Sequence, residues 1–215
     1  MLLAIDTATE FAGLALYSED TVWAEEIWHA ARNHTVEVMP RLYRMLQNVS
    51  LSVARLDGIV VSIGPGSYTG VRIAVALAKG LALPHNLPVI GVPTLEIAAY
   101  PHRNQTLPVI AVAQAGRKRI LTASYGWVDG KWVQVKSPAL TTVSALVQTI
   151  TDPVLVSGEL TASDVVEFNR GKAIVATPVD RIRRPAVLAE LGMARLDSGE
   201  QDDLDSLIPV YLSSP

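Results

Sequence analysis

The spacing of apolar positions along the chain predicts two consecutive series of strands and helices. The first series has the order βββαβαβα, with strands at residues 2–7, 11–17, 21–28, 56–63 and 88–92 and helices at residues 35–48, 69–83 and 94–99. Small or acidic turn residues separate its first three strands, as in a β-meander. The run 56–63 is almost continuously apolar, which predicts a central strand that is covered on both faces.

A polar segment without periodicity, PHRNQT at residues 101–106, precedes the second series and predicts a boundary between domains 1–104 and 105–215. The second series has strands at residues 107–113, 119–127, 131–136 and 153–157 and helices at residues 141–150 and 161–169. Both series therefore contain the order βββαβα, which predicts an α/β protein made of two ribonuclease-H-like units with mixed sheets. One more helix is predicted at residues 186–196, and the acidic residues 200–205 are expected to form a solvated loop.

Composition narrows the classes of function. The chain has 215 residues, and 18 Lys plus Arg against 21 Asp plus Glu give a net charge of -3, so overall charge does not indicate nucleic-acid binding. Two basic clusters, Arg117 to Arg119 and Arg181 to Arg184, would contact phosphate groups if the fold brings them together. The chain has no Cys, which excludes disulfides and thiolate zinc sites, and no signal peptide or membrane span is predicted, so a cytoplasmic location is expected.

The excess of apolar residues indicates a protein partner. Hydrophobic residues make up 49% of the chain and charged residues 18%. Helix 69–83 is apolar almost all round, and a stripe of bulky residues (Ile73, Leu77 and Leu81) is predicted to face the sheet, which would leave a stripe of small residues for a partner. The predicted partner-binding residues are Met39, Tyr43, Val71, Arg72, Ala74, Val75, Ala78 and Lys79. Ala74→Arg or Ala78→Arg is then expected to abolish partner binding in a folded chain. Alternatively, another helix or the second domain covers both stripes, and no protein partner is needed.

The segment GPGSYTG follows a predicted strand and begins a helix, where backbone amides form an anion site. Its candidate anion or nucleotide loop consists of Gly64, Gly66, Ser67 and Gly70. The segment lacks the lysine of a P-loop, since Val71 follows Gly70, and Thr69 replaces the third glycine of a dinucleotide fingerprint. The alternative, which we favour, is a tight strand-to-helix turn shaped by the glycines and capped by Thr69.

Asp6 ends the first strand, the position at which actin-like ATPases carry an Asp before a glycine-containing phosphate loop. Ala8 and Thr9 occupy that loop here, which favours a structural role for Asp6 in the turn. No metal site is predicted, because none of the four histidines has a second histidine three or four residues away. His34, at the start of the first helix, has Val38 where a second ligand would be expected.

Four segments together resemble the bacterial TsaB (YeaZ) family: LLAIDTAT, His34, GPGSYTGVRIAVALAKGLA and VIGVPTLEIAA. The resemblance covers residues 1–100 and continues as scattered matches, such as SGE at residues 157–159 and PVYL at residues 209–212. It implies two actin-like domains and a part in making threonylcarbamoyladenosine next to the anticodon of tRNA.

In that family TsaB is a non-catalytic adaptor, and the resemblance implies the same role here, with no catalytic residue and no cofactor of its own. It implies a heterodimer with the paralogue TsaD, joined by the P-loop ATPase TsaE, with ATP admissible at the interface. A homodimer is implied when TsaD is missing, tRNA would be contacted through the complex, and no membrane partner is implied. The alternative function is an actin-like ATPase or small-molecule kinase with its phosphate site at Asp6 and the Gly64–Gly70 loop. A metallopeptidase ranks last because its ligands are missing.

Overall fold

The computed structural model describes residues 1–31 and 33–212, which pack as two compact units. Unit 1 consists of Met1–Thr94 and Arg184–Val210, and unit 2 consists of Leu95–Arg183 with residues 211 and 212. This division differs from the predicted boundary between residues 104 and 105. The first boundary falls earlier because Leu95, Ala98 and Ala99 share a buried cluster with strands of unit 2. Residues 184–210 belong to unit 1 because the helix Pro185–Asp197 packs on its strands.

Unit 1 contains a mixed five-stranded sheet within its described residues. Its strands are β1 (Leu2–Asp6), β2 (Phe11–Ser18), β3 (Thr21–His29), β4 (Gly58–Ser62) and β5 (Val89–Val92), and its helices are α1 (His34–Asn48), α2 (Tyr68–Ala82) and α6 (Pro185–Asp197). The strand order is β3-β2-β1-β4-β5. The first three strands pair antiparallel as a meander, whereas β4 and β5 run parallel to β1. Helix α3 (Thr94–Ala99) begins where unit 1 gives way to unit 2.

Alternating residues of the central strands send side chains to the two faces of this sheet. Leu3 and Ile5 of β1 share a buried cluster with Leu42 of α1 and Ala74 of α2, so these helices cover one face. Helix α6 covers the strands of the same sheet from the other face, where a Cβ atom on Gly192 would lie only 2.2 Å from Cγ2 of Val60. The glycine therefore allows α6 to lie against the central strand.

Unit 2 repeats this plan. Its strands are β6 (Val109–Gln114), β7 (Ile120–Val128), β8 (Lys131–Thr141), β9 (Val154–Gly158) and β10 (Ala173–Val175), and its helices are α4 (Val143–Gln148) and α5 (Ala162–Phe168). Among the described residues its sheet has the order β8-β7-β6-β9-β10, which is the order of unit 1. Strands β6, β7 and β8 pair antiparallel, and β9 and β10 run parallel to β6. The predicted pair of ribonuclease-H-like units is confirmed.

Three segments differ from the prediction. Strand β10 was not predicted, because three residues are too few to establish a periodicity. Strand β8 continues through Pro138 to Thr141, which its position at the sheet edge and a bulge opposite Ala123 permit. The acidic residues 200–205 are not a solvated loop throughout: the Asp202 amide donates to the Val89 carbonyl over 2.9 Å, and its carboxylate accepts from the Gly91 amide over 2.7 Å.

Candidate functional site

The turn between β1 and β2, residues 7–10, is built on Asp6. This side chain is 2% exposed, and its Oδ1 accepts hydrogen bonds from the Ala8 amide (2.9 Å) and from Oγ of Ser62 (2.7 Å). Asp6 therefore joins the end of β1 to the end of the neighbouring strand β4 and fixes the turn.

The glycine loop of residues 64–70 packs directly against this turn. The Ser67 amide donates to the Ala8 carbonyl over 2.6 Å, and Oγ1 of Thr7 donates to the Gly70 carbonyl over 2.6 Å. A Cβ atom on Gly66 would lie 2.3 Å from the Ala8 oxygen, and one on Gly70 would lie 2.0 Å from the Thr7 oxygen. The two backbones therefore approach each other more closely than any residue with a side chain permits.

The anion-loop hypothesis depends on free backbone amides in the glycine loop, and some of these amides already donate hydrogen bonds within the protein. Besides the bonded Ser67 amide, the Gly70 amide donates to Oγ of Ser67 over 3.2 Å, so Ser67 caps α2 and the predicted cap at Thr69 is wrong. At Gly64, φ is +98° and the carbonyl accepts from the Thr94 amide over 2.8 Å. The anion loop of Gly64, Gly66, Ser67 and Gly70 stays a prediction, and two of its amides are already bonded within the protein.

Helix α1 begins at the same turn. Nε2 of His34 lies 2.8 Å from the Thr9 carbonyl oxygen, and the side chain is 5% exposed. Because α2 is attached to Thr7 and Ala8, the N-termini of both helices are held by one stretch of backbone. The two helices then lie in contact on the sheet. The sequence placed His34 at the start of α1 but did not reveal its bond to the turn.

Four of the predicted partner-binding residues are part of the core of unit 1. Val71, Ala74 and Ala78 are fully buried and Val75 is 4% exposed, so the small-residue stripe faces the sheet and the prediction of an exposed stripe is wrong. Small side chains bring the helix close to the strands, while the bulky residues Ile73, Leu77 and Leu81 are only partly buried at its margin. The expectation that Ala74→Arg or Ala78→Arg leaves the chain folded is corrected, because each change would place a cation in this core.

Other predicted partner-binding residues lie at the surface. Met39 is 45% exposed and Tyr43 is 64% exposed, whereas Lys79 is half-buried. Arg72 is exposed, with its guanidinium 3.8 Å above the ring of Tyr68.

Two further apolar residues of α1, Val36 and Pro40, are exposed, although they were not among the predicted partner-binding residues. Val36, Met39, Pro40 and Tyr43 are spaced i, i+3, i+4 and i+7, so they form one exposed apolar stripe, and this spacing is a signal that the sequence already contained. We call the following set the outer helix face: Val36, Met39, Pro40, Tyr43, Arg72 and Ala76.

In unit 2 the partly buried side chain of His102 is hydrogen-bonded within the protein. Nε2 of His102 lies 2.8 Å from Oγ of Ser157, which is itself buried. Burial lowers the pKa of His102 below its usual value, although Asp180, through its charge and its backbone carbonyl, acts in the opposite sense. Within residues 1–31 and 33–212, no three His, Asp or Glu side chains are grouped as a metal site would require. No helix in the described part of the chain is long and apolar enough to span a bilayer.

Comparisons with known proteins agree with this fold. A family model described as "TsaD: tRNA N6-adenosine threonylcarbamoyltransferase" matches residues 28–177. The tRNA threonylcarbamoyladenosine biosynthesis protein TsaB of Bacillus subtilis is 35% identical over 98% of this chain and 93% of its own length. The solved structure of YeaZ from Pseudomonas aeruginosa is 26% identical, with a TM-score of 0.80 over 98% of this chain and 99% of its own. EutJ from Carboxydothermus hydrogenoformans, at 14% identity and a TM-score of 0.53 over 89% of this chain and 88% of its own, shares the fold.

Proposed function

This chain belongs to the TsaB family, and from that membership we propose that it takes part in the biosynthesis of threonylcarbamoyladenosine in tRNA. Its role is that of a non-catalytic adaptor. It forms a heterodimer with a TsaD subunit through the outer helix face, and TsaE joins that complex. When TsaD is missing, the same face pairs with a second copy of the chain.

The exposed apolar stripe on α1 is the observation that carries this proposal. Val36, Met39 and Tyr43 are large apolar residues, and they are 67%, 45% and 64% exposed. The opposite side of the same helix buries Val38 and Leu42 in the core of unit 1. The apolar arc of α1 is therefore wider than the part that unit 1 buries, and a protein partner would cover the exposed remainder.

The resemblance of this chain to the TsaD family model supports TsaD as the partner. Two chains of the same fold present equivalent helix pairs, and equivalent faces pair around a two-fold or pseudo-two-fold axis. Arg72 is an exposed cation on the neighbouring helix α2 and would form part of a polar rim. The same geometry accounts for a homodimer of the isolated chain.

The alternative, an actin-like ATPase or kinase, gains no support from the site. Asp6 is buried and bonded to Ser62 and Ala8, and the Ser67 amide is bonded to the Ala8 carbonyl. A phosphate group would have to displace these contacts before the glycine loop could bind it. ATP remains admissible at the interface of the complex.

Size-exclusion chromatography with light scattering tests the adaptor. The wild-type chain is expected to be a homodimer and to convert to a one-to-one heterodimer with TsaD of the same organism. Tyr43→Glu and Ala76→Arg each place a charge on the outer helix face and should weaken the heterodimer by about a hundredfold without lowering the unfolding midpoint.

Val166→Glu is the matched control, because Val166 is an exposed apolar residue on α5 of unit 2. This variant should bind TsaD as the wild type does. If Tyr43→Glu and Ala76→Arg bind TsaD with wild-type affinity, the outer helix face is not the interface. Saturable binding of ATP with magnesium by the isolated chain in a calorimeter would favour the kinase instead.

A further inference from the structure

Basic residues from two distant parts of the sequence lie at one edge of the sheet of unit 2. Strands β6, β9 and β10 run parallel, so their carboxyl ends share that edge. Arg117, Lys118 and Arg119 follow β6, and Arg181 and Arg183 follow β10. Ligands of open α/β sheets bind outside the carboxyl ends of parallel strands.

Hydrogen bonds tie the segments at this edge together. Nε2 of Gln114, at the end of β6, donates to the Glu159 carbonyl and to the carboxylate of Asp164, each over 3.0 Å. An NH₂ group of Arg181 donates to the Leu160 carbonyl over 2.9 Å. Gln114, three residues before the first basic cluster, and Arg181 of the second therefore both contact the connection between β9 and α5.

The carboxylates at this edge are engaged within the protein. Glu159 pairs with Arg183 over 3.0 Å. Asp164 caps α5 by accepting from the Thr161 amide, and Asp180 accepts from Oγ1 of Thr177 over 2.6 Å. Arg117 and Lys118 are exposed, and no described carboxylate lies within ion-pair distance of either side chain. Their charges are therefore available to an anionic partner.

The turn that carries these charges has an unfavourable backbone conformation for its residues. Arg117 and Lys118 have φ angles of +52° and +60°, and the Arg119 amide donates to the Gly116 carbonyl over 3.0 Å, which defines a type I′ turn. Asn followed by Gly is the preferred pair at these two positions, because their backbones tolerate positive φ. Two long basic side chains here cost stability, and such a cost is typical of a functional site.

We propose that the basic turn, Arg117, Lys118 and Arg119, contacts the phosphate backbone of tRNA. The inference rests on the proposed function, which supplies the RNA. Arg117 and Lys118 are the exposed cations of this turn, whereas Arg119 is half-buried. Exposed cations suit phosphodiester groups, because pairing with them releases the counterions that the nucleic acid had condensed. These side chains would position the RNA without reading its bases, since phosphate contacts carry no sequence information directly.

The sharpest variant is Arg117→Asn combined with Lys118→Gly. It removes both charges and installs the pair that the turn prefers, so the unfolding midpoint should rise by about 3 °C. Binding of an unmodified tRNA transcript is measured by fluorescence anisotropy between about 50 and 200 mM salt, for the chain alone and for its complex with TsaD. The affinity of this variant should fall about tenfold, and the slope of log K against log salt should decrease in magnitude by about 1.5.

Two control variants separate charge from structure. Arg117→Lys with Lys118→Arg keeps both charges and should retain wild-type affinity and slope. Lys131→Ala with Lys136→Ala removes two exposed charges from β8 of the same unit and should leave tRNA binding unchanged. The Asn-Gly variant should still form the heterodimer with TsaD. Heterodimer formation by the wild type therefore tests the proposed function, and the tRNA affinity of the Asn-Gly variant tests the turn separately.

If the Asn-Gly variant binds tRNA with the affinity and salt dependence of the wild type, the inference is overturned. It is also overturned if the wild type binds no tRNA at low salt, either alone or in complex with TsaD. ATP is the remaining competitor for a basic turn. If the Asn-Gly variant loses ATP binding but keeps tRNA binding, the turn contacts nucleotide phosphates and the RNA contact is refuted.

Discussion

At the scale of single residues, the glycine loop shows how glycines at a strand-to-helix turn allow two stretches of backbone to pack closely. Gly66 and Gly70 contact the carbonyl oxygens of Ala8 and Thr7, so protein backbone lies against the glycines where phosphate oxygens lie in a nucleotide site. The sequence supplied the glycines and their order. It did not supply the group packed against them, because that group comes from residues about 60 positions away.

Gly70→Ala should destabilise the chain by about 2 kcal/mol or more, because its Cβ would overlap the Thr7 carbonyl oxygen at 2.0 Å. Gly80→Ala, in the same helix, is the matched control. Its Cβ would meet nothing within 4 Å, so this change should be neutral or stabilise by up to about 1 kcal/mol. Urea denaturation of both variants provides the measurement. Equal stabilities would mean that the loop and the turn are not in close contact.

His102 predicts how stability depends on pH. Its pKa is lowered from 6.5 in the folded state, so an unfolded chain binds the proton more readily than the native chain does. The contribution of His102 is therefore fully present above pH 6.5 and is lost as the pH falls from 6.5 through the folded pKa. The free energy of unfolding should accordingly decrease between about pH 7 and pH 5.

Unfolding measured across this range in wild type, His102→Gln and His85→Gln isolates the effect. His85 is exposed, and His85→Gln is the matched substitution of a surface histidine. His102→Gln should show a shallower decrease, since the titrating group is gone. A slope that is identical in all three proteins would show that His102 does not titrate differently in the folded chain.

At the scale of elements, periodicity predicted most helices and strands, and errors arose where tertiary packing decides. Helix α2 is apolar on several sides, and its sequence does not show which stripe meets the sheet. The size of the side chains decides: the small residues Ala74 and Ala78 are buried in close contact with the strands, and Leu77 and Leu81 pack at the margin of the core. On α1 the stripe of Val36, Met39, Pro40 and Tyr43 was predicted in part, since Met39 and Tyr43 were among the predicted partner-binding residues.

The segment after residue 197 shows a second limit of sequence patterns. Its acidic residues indicate a solvated loop, yet Asp202 pairs with β5 and Leu207 is buried in the core of unit 1. The edge strand β5 offers unpaired amide and carbonyl groups that a passing backbone satisfies. The charge pattern of this segment does not show that it pairs with a strand more than 100 positions earlier in the sequence.

At the scale of the whole molecule, the two repeated units could be predicted, but the segment that completes unit 1 could not. Helix α6 follows residues 95–183 of unit 2 in the sequence and yet packs on β1 and β2 of unit 1. The Ala186 amide donates to a carboxylate oxygen of Glu25 over 2.9 Å, and the nearby Arg184 guanidinium also bonds to Glu25, whose hydrogen bond raises the pKa of Arg184. The chain therefore leaves unit 1 and returns to it.

Two fragments test this return. Residues 1–104, the predicted first domain, lack α6 and would expose one face of the sheet, so this fragment should aggregate or lack a cooperative unfolding transition. Residues 1–94 joined by a flexible linker to residues 184–210 restore the helix and should unfold cooperatively. Circular dichroism with thermal melting distinguishes the two. A cooperative transition in the shorter design would show that α6 is dispensable.

The turn between β1 and β2 has a consequence for how such proteins diverge. It fixes the N-termini of α1 and α2 from the sheet side, through Thr9 to His34 and through Thr7 to Gly70. The orientation of both helices is therefore independent of the side chains on their outer surfaces. If the outer helix face binds the partner, substitutions on it are expected to change recognition while the scaffold keeps its shape.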